Sequence, residues 1–140
     1  MMRLTIGLLV TVLADPGFAQ PAGFPLKRWF AVETLNATDV RANGLTFFAD
    51  TVSPDSGRPS AHGFAGCNIW HAQPDIRDPD EIQFGEIATT KKLCPEGDTM
   101  GIEGDYIRAL SRVARWRLDG DALVLSGEET LLRLSPQAQR

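Results

Sequence analysis

The chain is poor in the residues on which most catalytic and metal sites depend. Its 140 residues include two cysteines, Cys67 and Cys94, and two histidines, His62 and His71. Without a paired Cys-x-x-Cys, the usual ligand sets for zinc are hard to assemble. No serine lies in a Gly-x-Ser-x-Gly elbow of the kind that holds a hydrolase nucleophile. We therefore expect a protein that is not an enzyme, with no catalytic residues, no metal and no cofactor.

An excess of basic charge is also missing. Lysine and arginine number 14 against 18 aspartate and glutamate residues, for a net charge of −4. A nucleic-acid partner would require a basic face, so this balance argues against one. Gly97, Gly101 and Gly104 match neither the dinucleotide fingerprint nor the phosphate-binding loop with its lysine. The composition is that of an ordinary globular domain, and the length suits a single modest core.

One apolar run stands at the N-terminus. Residues 4–14 follow Arg3 and are too few to span a bilayer. Small residues, Gly17 and Ala19, lie at the two positions that a signal peptidase reads, and Pro16 precedes them. These features predict a signal peptide over residues 1–19 with cleavage after Ala19, and therefore a periplasmic or secreted protein. The competing interpretation is an uncleaved anchor or a buried helix. No lipobox cysteine adjoins the site, so neither a lipid anchor nor a transmembrane segment is expected after cleavage.

Export changes how the two cysteines are interpreted. In an oxidising compartment the simplest prediction is a Cys67–Cys94 disulfide. A metal site built from Cys67 and His71, with His62 and Cys94, is a second interpretation. The third is a thiol nucleophile, Cys67, activated by one of the histidines.

The alternation and the helical spacing of apolar residues predict a series of strands, then one helix, then further strands. The helix is expected to be capped by Asp98 or Thr99 and to start late, because Gly101 and Gly104 weaken its first turns. Its apolar stripe consists of Ile102, Tyr106, Ile107, Leu110 and Val113. The strands are expected at residues 28–35, 45–52, 58–65, 69–72, 82–84, 87–90, 116–118, 122–125 and 130–134. This order predicts an α+β fold with an antiparallel-rich curved sheet and one α-helix.

The remaining segments are expected to be polar and irregular. Residues 20–28 are interpreted as a loose leader, residues 29–135 as the domain, and residues 136–140 as a frayed tail. The acidic stretch 74–81 is expected to be a solvated loop; a calcium site there is conceivable, but the EF-hand spacing is absent. Trp29 and Trp116 are expected to pack in the core or at an edge. Trp70, just past a glycine turn, is the possible exposed contact.

Two segments resemble signatures of the META domain, also called the HslJ-like domain. The first is Gly63-Phe64-Ala65-Gly66-Cys67-Asn68, and the second is Ile87-Ala88-Thr89-Thr90-Lys91-Lys92-Leu93-Cys94. The likeness extends from about Trp29 to Leu134. Its motif residues are Gly63, Gly66, Cys67, Asn68, Thr90 and Cys94. The resemblance implies a small, partly open β-barrel with one helix and brings no catalytic residue with it.

The resemblance further implies an envelope protein linked to heat shock and the stress response. We therefore expect a monomeric, exported, non-enzymatic protein in envelope maintenance or stress tolerance, whose partner is an unidentified envelope protein or lipid. The alternative is a binding module whose barrel cavity accepts a lipid tail or a segment of a secretion-system partner. A filled interior would count against that alternative.

Overall fold

A computed structural model describes residues 23–137 and contains one α-helix among antiparallel strands. The predicted signal peptide, its cleavage site and residues 138–140 lie outside this range. The strands are β1 (Arg28–Leu35), β2 (Thr38–Asp39), β3 (Thr46–Val52), β4 (Pro59–Phe64), β5 (Ile69–Ala72), β6 (Asp75–Arg77), β7 (Glu81–Gln83), β8 (Ile87–Thr89), β9 (Arg115–Asp119), β10 (Ala122–Ser126) and β11 (Thr130–Pro136). A short 3-10 helix, Arg41–Asn43, precedes β3, and the α-helix α1 spans Thr99–Arg112.

The strands form one sheet that curls into a half-barrel. Their order is β6-β7-β9-β10-β11-β1-β3-β4-β5-β8, with β2 paired to β1, and the pairs are antiparallel. The central strands alternate buried and exposed residues because successive side chains point to opposite faces of a strand. The predicted fold, an antiparallel curved sheet with a single helix, is confirmed. Within the described residues, no helix has the length and apolar character needed to cross a membrane.

The interior of the half-barrel is filled by large side chains. The indole of Trp70 packs against the rings of Phe47, Phe84 and Tyr106, at centroid distances of 5.7, 6.1 and 6.1 Å. Leu110 of α1 closes the same core and is completely buried. Each such side chain contributes about 1.5–3 kcal/mol through its burial. A filled core of this kind counts against a lipid tail inside the barrel.

The expectation of an exposed contact at Trp70 is wrong. Its side chain is fully buried, because β5 alternates and places residue 70 on the inner face. Trp116 is buried and packs on Phe24 at 5.1 Å, while Trp29 is half-buried against Phe48 at 4.8 Å. The segment predicted as a loose leader, residues 20–28, therefore contains a packed residue, Phe24.

The acidic stretch also differs from the expected loop. It contains the β6–β7 hairpin, in which Ile76 pairs with Ile82, and Ile82 is buried. The second strand of this hairpin matches the strand predicted at residues 82–84, whereas the first, β6, was not predicted because it has a single apolar residue, Ile76. At the end of the chain, Pro136 pairs with Phe30, so β11 runs into the segment expected to be frayed.

The helix begins at Thr99 rather than late, although Gly101 and Gly104 lie in its first turns. The buried Tyr106 and Leu110 anchor its inner face, and tertiary packing outweighs the low helix propensity of the two glycines.

Candidate functional site

The two motif segments meet at one corner of the half-barrel, where a disulfide joins them. Cys67, in the turn after β4, is bonded to Cys94, in the segment that leads to α1, with Cα atoms 5.9 Å apart. The predicted disulfide is therefore formed, and neither sulfur is left as a nucleophile or a metal ligand. Among residues 23–137, no group of three or more histidine, cysteine, aspartate or glutamate side chains could hold a metal ion.

Asn68 is the centre of the hydrogen-bond network at this corner. Its Oδ1 accepts hydrogen bonds from the Thr90 hydroxyl at 2.9 Å and the Lys92 backbone N–H at 2.7 Å. Its Nδ2 donates to the Lys92 carbonyl at 3.0 Å. The Thr90 hydroxyl in turn accepts the N–H of Ile69 at 3.1 Å. One buried asparagine thus fixes the second motif segment against the first.

Glu103 of α1 completes the network, and sequence reasoning missed it. Its side chain is only 7% exposed, and it accepts the backbone N–H of Asn68 at 2.6 Å and its Nδ2 at 2.8 Å. The signal that could have revealed it is spacing. Glu103 precedes Tyr106 by three residues and Leu110 by seven, which places it on the buried face of the helix.

The motif glycines allow close approach of the backbone. Gly66 has φ of +106°, a conformation that side chains disfavour. A Cβ on Gly63 would lie 2.0 Å from the carbonyl oxygen of Thr46. That oxygen accepts the hydroxyl hydrogen of Tyr106 at 2.9 Å. Burial raises the pKa of Tyr106 far above its ordinary value, and the adjacent Trp70 indole offsets only part of that effect.

The structure thus brings all six predicted motif residues into one region, with a consistent role. Asn68, Thr90 and the disulfide tie the loops together, and the glycines permit the packing beneath them. The side chains of Asn68, Thr90 and Glu103 are hydrogen-bonded to other parts of the chain. The arrangement can hold a surface rigid.

Exposed apolar side chains surround this corner. Phe64 and Ile69 stand opposite one another on β4 and β5, with Ile69 54% exposed. Leu93, beside Cys94, is 83% exposed, and Met100 is exposed on the first turn of α1. We call these four residues, Phe64, Ile69, Leu93 and Met100, the corner patch. Its side chains differ from most large apolar residues among residues 23–137, which are buried.

The acidic hairpin is less suited to a cation than its sequence suggested. Asp75 pairs with Arg77 at 2.8 Å, and Asp80 pairs with Arg115 at 2.7 Å. An adjoining groove of about 230 Å³ is lined by both signs of charge. Two of the carboxylates that a calcium ion would need, those of Asp75 and Asp80, are thus already paired with arginine.

Comparisons with known proteins agree with this architecture. An NMR structure of a protein from Burkholderia xenovorans superposes with a TM-score of 0.59 at 19% identity, covering 91% of this chain and 100% of that one. A second NMR structure superposes with a TM-score of 0.58 at 15% identity, covering 77% of this chain and 87% of that one. At these identities the likeness concerns the fold alone. No curated protein matches the chain significantly. The sequence model of one family, the META domain, matches residues 25–139, and this chain therefore belongs to the META-domain family.

Proposed function

We propose that this META-domain protein is exported and acts outside the cytoplasm as a non-enzymatic binding module in envelope maintenance or stress tolerance. The observation that carries the proposal is the Cys67–Cys94 disulfide, which joins the two halves of the family motif. Structural disulfides persist in oxidising compartments and are rare in reducing ones. The apolar N-terminal run with its small-residue cleavage pattern supports the same location.

The corner patch is the part of the surface best suited to binding. It lies on a frame fixed by the disulfide and by the Asn68–Glu103 contacts, so its backbone loses little freedom when a partner covers it. Contiguous exposed apolar surfaces mark sites of interaction, and we propose that the corner patch forms one. Since the interior is filled, the partner is met at this outer surface, and we propose an envelope protein with an apolar patch of its own.

Export is tested by fractionating the native host and measuring the intact mass of the non-reduced protein. The expected product begins at Gln20, lies in the extracytoplasmic fraction and is lighter by the two hydrogens lost on forming the disulfide. A cytoplasmic, full-length protein with both thiols free would contradict the proposal.

Binding is tested by photo-crosslinking from a probe placed at Met100, in chains that carry Leu93→Ser or Ile69→Ser. Leu118→Ser is the matched control, because Leu118 is 45% exposed on β9, outside the corner patch. A single protein partner should be lost in the first two chains and kept in the control. Equal crosslinking in all three, or capture of lipid instead of protein, would contradict the proposal.

A further inference from the structure

The two histidines of the chain stand directly opposite one another on the sheet. His62 on β4 is the register partner of His71 on β5. Both point to the outer face, since the residues on either side of each, such as Ala61 and Trp70, are buried. The sequence predicts both strands, 58–65 and 69–72, and the structure adds the register that sets the two histidines opposite one another.

Residues that pair across an antiparallel ladder are either hydrogen-bonded or non-hydrogen-bonded, and the Cα atoms of the second kind lie closer together. The hydrogen-bond pattern shows that His62 and His71 form a pair of the second kind. Phe64 donates its N–H to the Thr46 hydroxyl, and Ile69 directs its N–H and C=O to the segment after β8, so these two partners do not bond to one another. Paired residues alternate along the ladder, so His62 and His71, two steps away, are also a non-hydrogen-bonded pair. The Cα atoms of such pairs lie about 4.5 Å apart.

The imidazole of His62 is packed against aromatic neighbours, whereas that of His71 is accessible to solvent. The ring of His62 packs at 5.3 Å from that of Trp29 and 5.2 Å from that of Phe48. His71 is exposed and lines a groove of about 440 Å³ that also contains Glu86 and Arg58. Within residues 23–137, neither imidazole makes a hydrogen bond or an ion pair with another part of the protein.

We propose that His62 and His71 form a surface site for a copper(II) ion, bound by one nitrogen of each imidazole. Metal–imidazole bonds are about 2.0–2.1 Å long, so the two nitrogens must lie within roughly 4 Å, which a non-hydrogen-bonded pair allows. His62 is pre-oriented by its aromatic neighbours, and the exposed His71 turns about its side-chain bonds to meet it. Water fills the remaining positions.

The choice of copper(II) rests on the order in which divalent ions bind imidazole ligands. Imidazole suits copper, nickel and zinc, and among divalent ions of this series copper binds a given site most tightly. Zinc sites ordinarily have three or four protein ligands, and this pair supplies two. Glu86 in the groove adds a favourable negative charge, which the nearby Arg58 partly offsets.

The test is titration of the purified, oxidised protein with copper(II) chloride, followed by electron paramagnetic resonance. One ion per chain is expected, with hyperfine coupling to two imidazole nitrogens. His71→Gln should remove one nitrogen and weaken binding by at least the roughly 10- to 100-fold that the loss of an outer-shell partner costs. Nickel and zinc should bind more weakly than copper.

His62→Phe keeps an aromatic ring against Trp29 and Phe48, so this variant removes the ligand without removing the packing. It should lower copper affinity as much as His71→Gln while its thermal unfolding stays close to that of the wild type. Glu86→Gln should have a smaller effect than either. Undiminished copper binding in the double variant His62→Phe/His71→Gln, or a wild-type spectrum without imidazole coupling, would overturn the proposal.

Discussion

Glu103 and Asn68, 35 residues apart in the sequence, are joined by two short hydrogen bonds. The carboxylate of Glu103 accepts both the backbone N–H and the side-chain amide of Asn68, at 2.6 and 2.8 Å. Both residues are buried, so neither finds water as a substitute partner. This contact connects α1 to the turn between β4 and β5 and makes the helix part of the disulfide-bonded corner.

Replacing Glu103 by Gln should lower the free energy of unfolding by about 2–3 kcal/mol. Hydrogen bonds to a charged group contribute about 1.5–3 kcal/mol, and the new amide N–H₂ would face the N–H₂ of Asn68. Urea denaturation measures the loss. Glu128→Gln is the control, because Glu128 is exposed and should change stability by no more than about 0.5 kcal/mol. Equal effects of the two substitutions would show that the buried contact is unimportant.

Alanine at two glycines should have opposite effects. At Gly63 the new Cβ would lie 2.0 Å from the backbone oxygen of Thr46, so β3 and β4 must separate, at a cost of about 3 kcal/mol or more. At Gly104, within α1, the nearest atoms belong to the flexible side chain of Arg108, and alanine should stabilise the helix by about 0.5–1 kcal/mol. Thermal unfolding of both variants measures this difference, and a tolerated Gly63→Ala would contradict it.

The disulfide should contribute about 3.5 kcal/mol to stability. It closes a loop with a sequence separation of 27, and chain entropy gives a loop of that length roughly this value. The double variant Cys67→Ser/Cys94→Ser should therefore unfold at lower urea, as should the reduced wild type. Adding reductant to the double variant serves as the control and should change nothing. A wild type that is insensitive to reduction would be evidence against this role.

Acid should weaken a contact at the start of the 3-10 helix. Hydrogen bonds from the guanidinium and the backbone N–H of Arg41 lower the pKa of Asp39 from 3.8 to about 2. A carboxyl group with a lowered folded-state pKa stabilises the protein above its unfolded pKa, and the stability is lost as pH falls through the folded pKa. Asp39→Asn should thus flatten the decline in stability between about pH 4 and pH 2. The effect should be small because both side chains are exposed. An Asp39→Asn variant whose stability declines with pH as steeply as that of the wild type would contradict this prediction.

Most strands of the sheet were predicted from the sequence because apolar and polar residues alternate along them. β1 and β5 begin and end where the sequence predicts, and Phe30 and Val32 are buried as expected. The strand predicted at residues 82–84 is observed as β7, one residue earlier, whereas β6 was missed because its one apolar residue, Ile76, is only half-buried and makes no pattern. Trp70 was misjudged because exposure depends on which face of the sheet meets α1, and that is a property of the assembled fold.

The sequence by itself determined the family and the single helix, whereas it left the Cys67–Cys94 disulfide as the simplest of three interpretations, which the structure then decided. The family and the helix follow from short motifs and from the periodicity of apolar residues, which are local in the chain. The tertiary structure decided that Glu103 is buried against Asn68, that Trp70 fills the interior and that His62 faces His71. Each of these is a contact between distant segments, set by the register of antiparallel strands and by the seating of one helix. The strand register and the position of the helix cannot be calculated from spacing along the chain, because both depend on how the whole core packs.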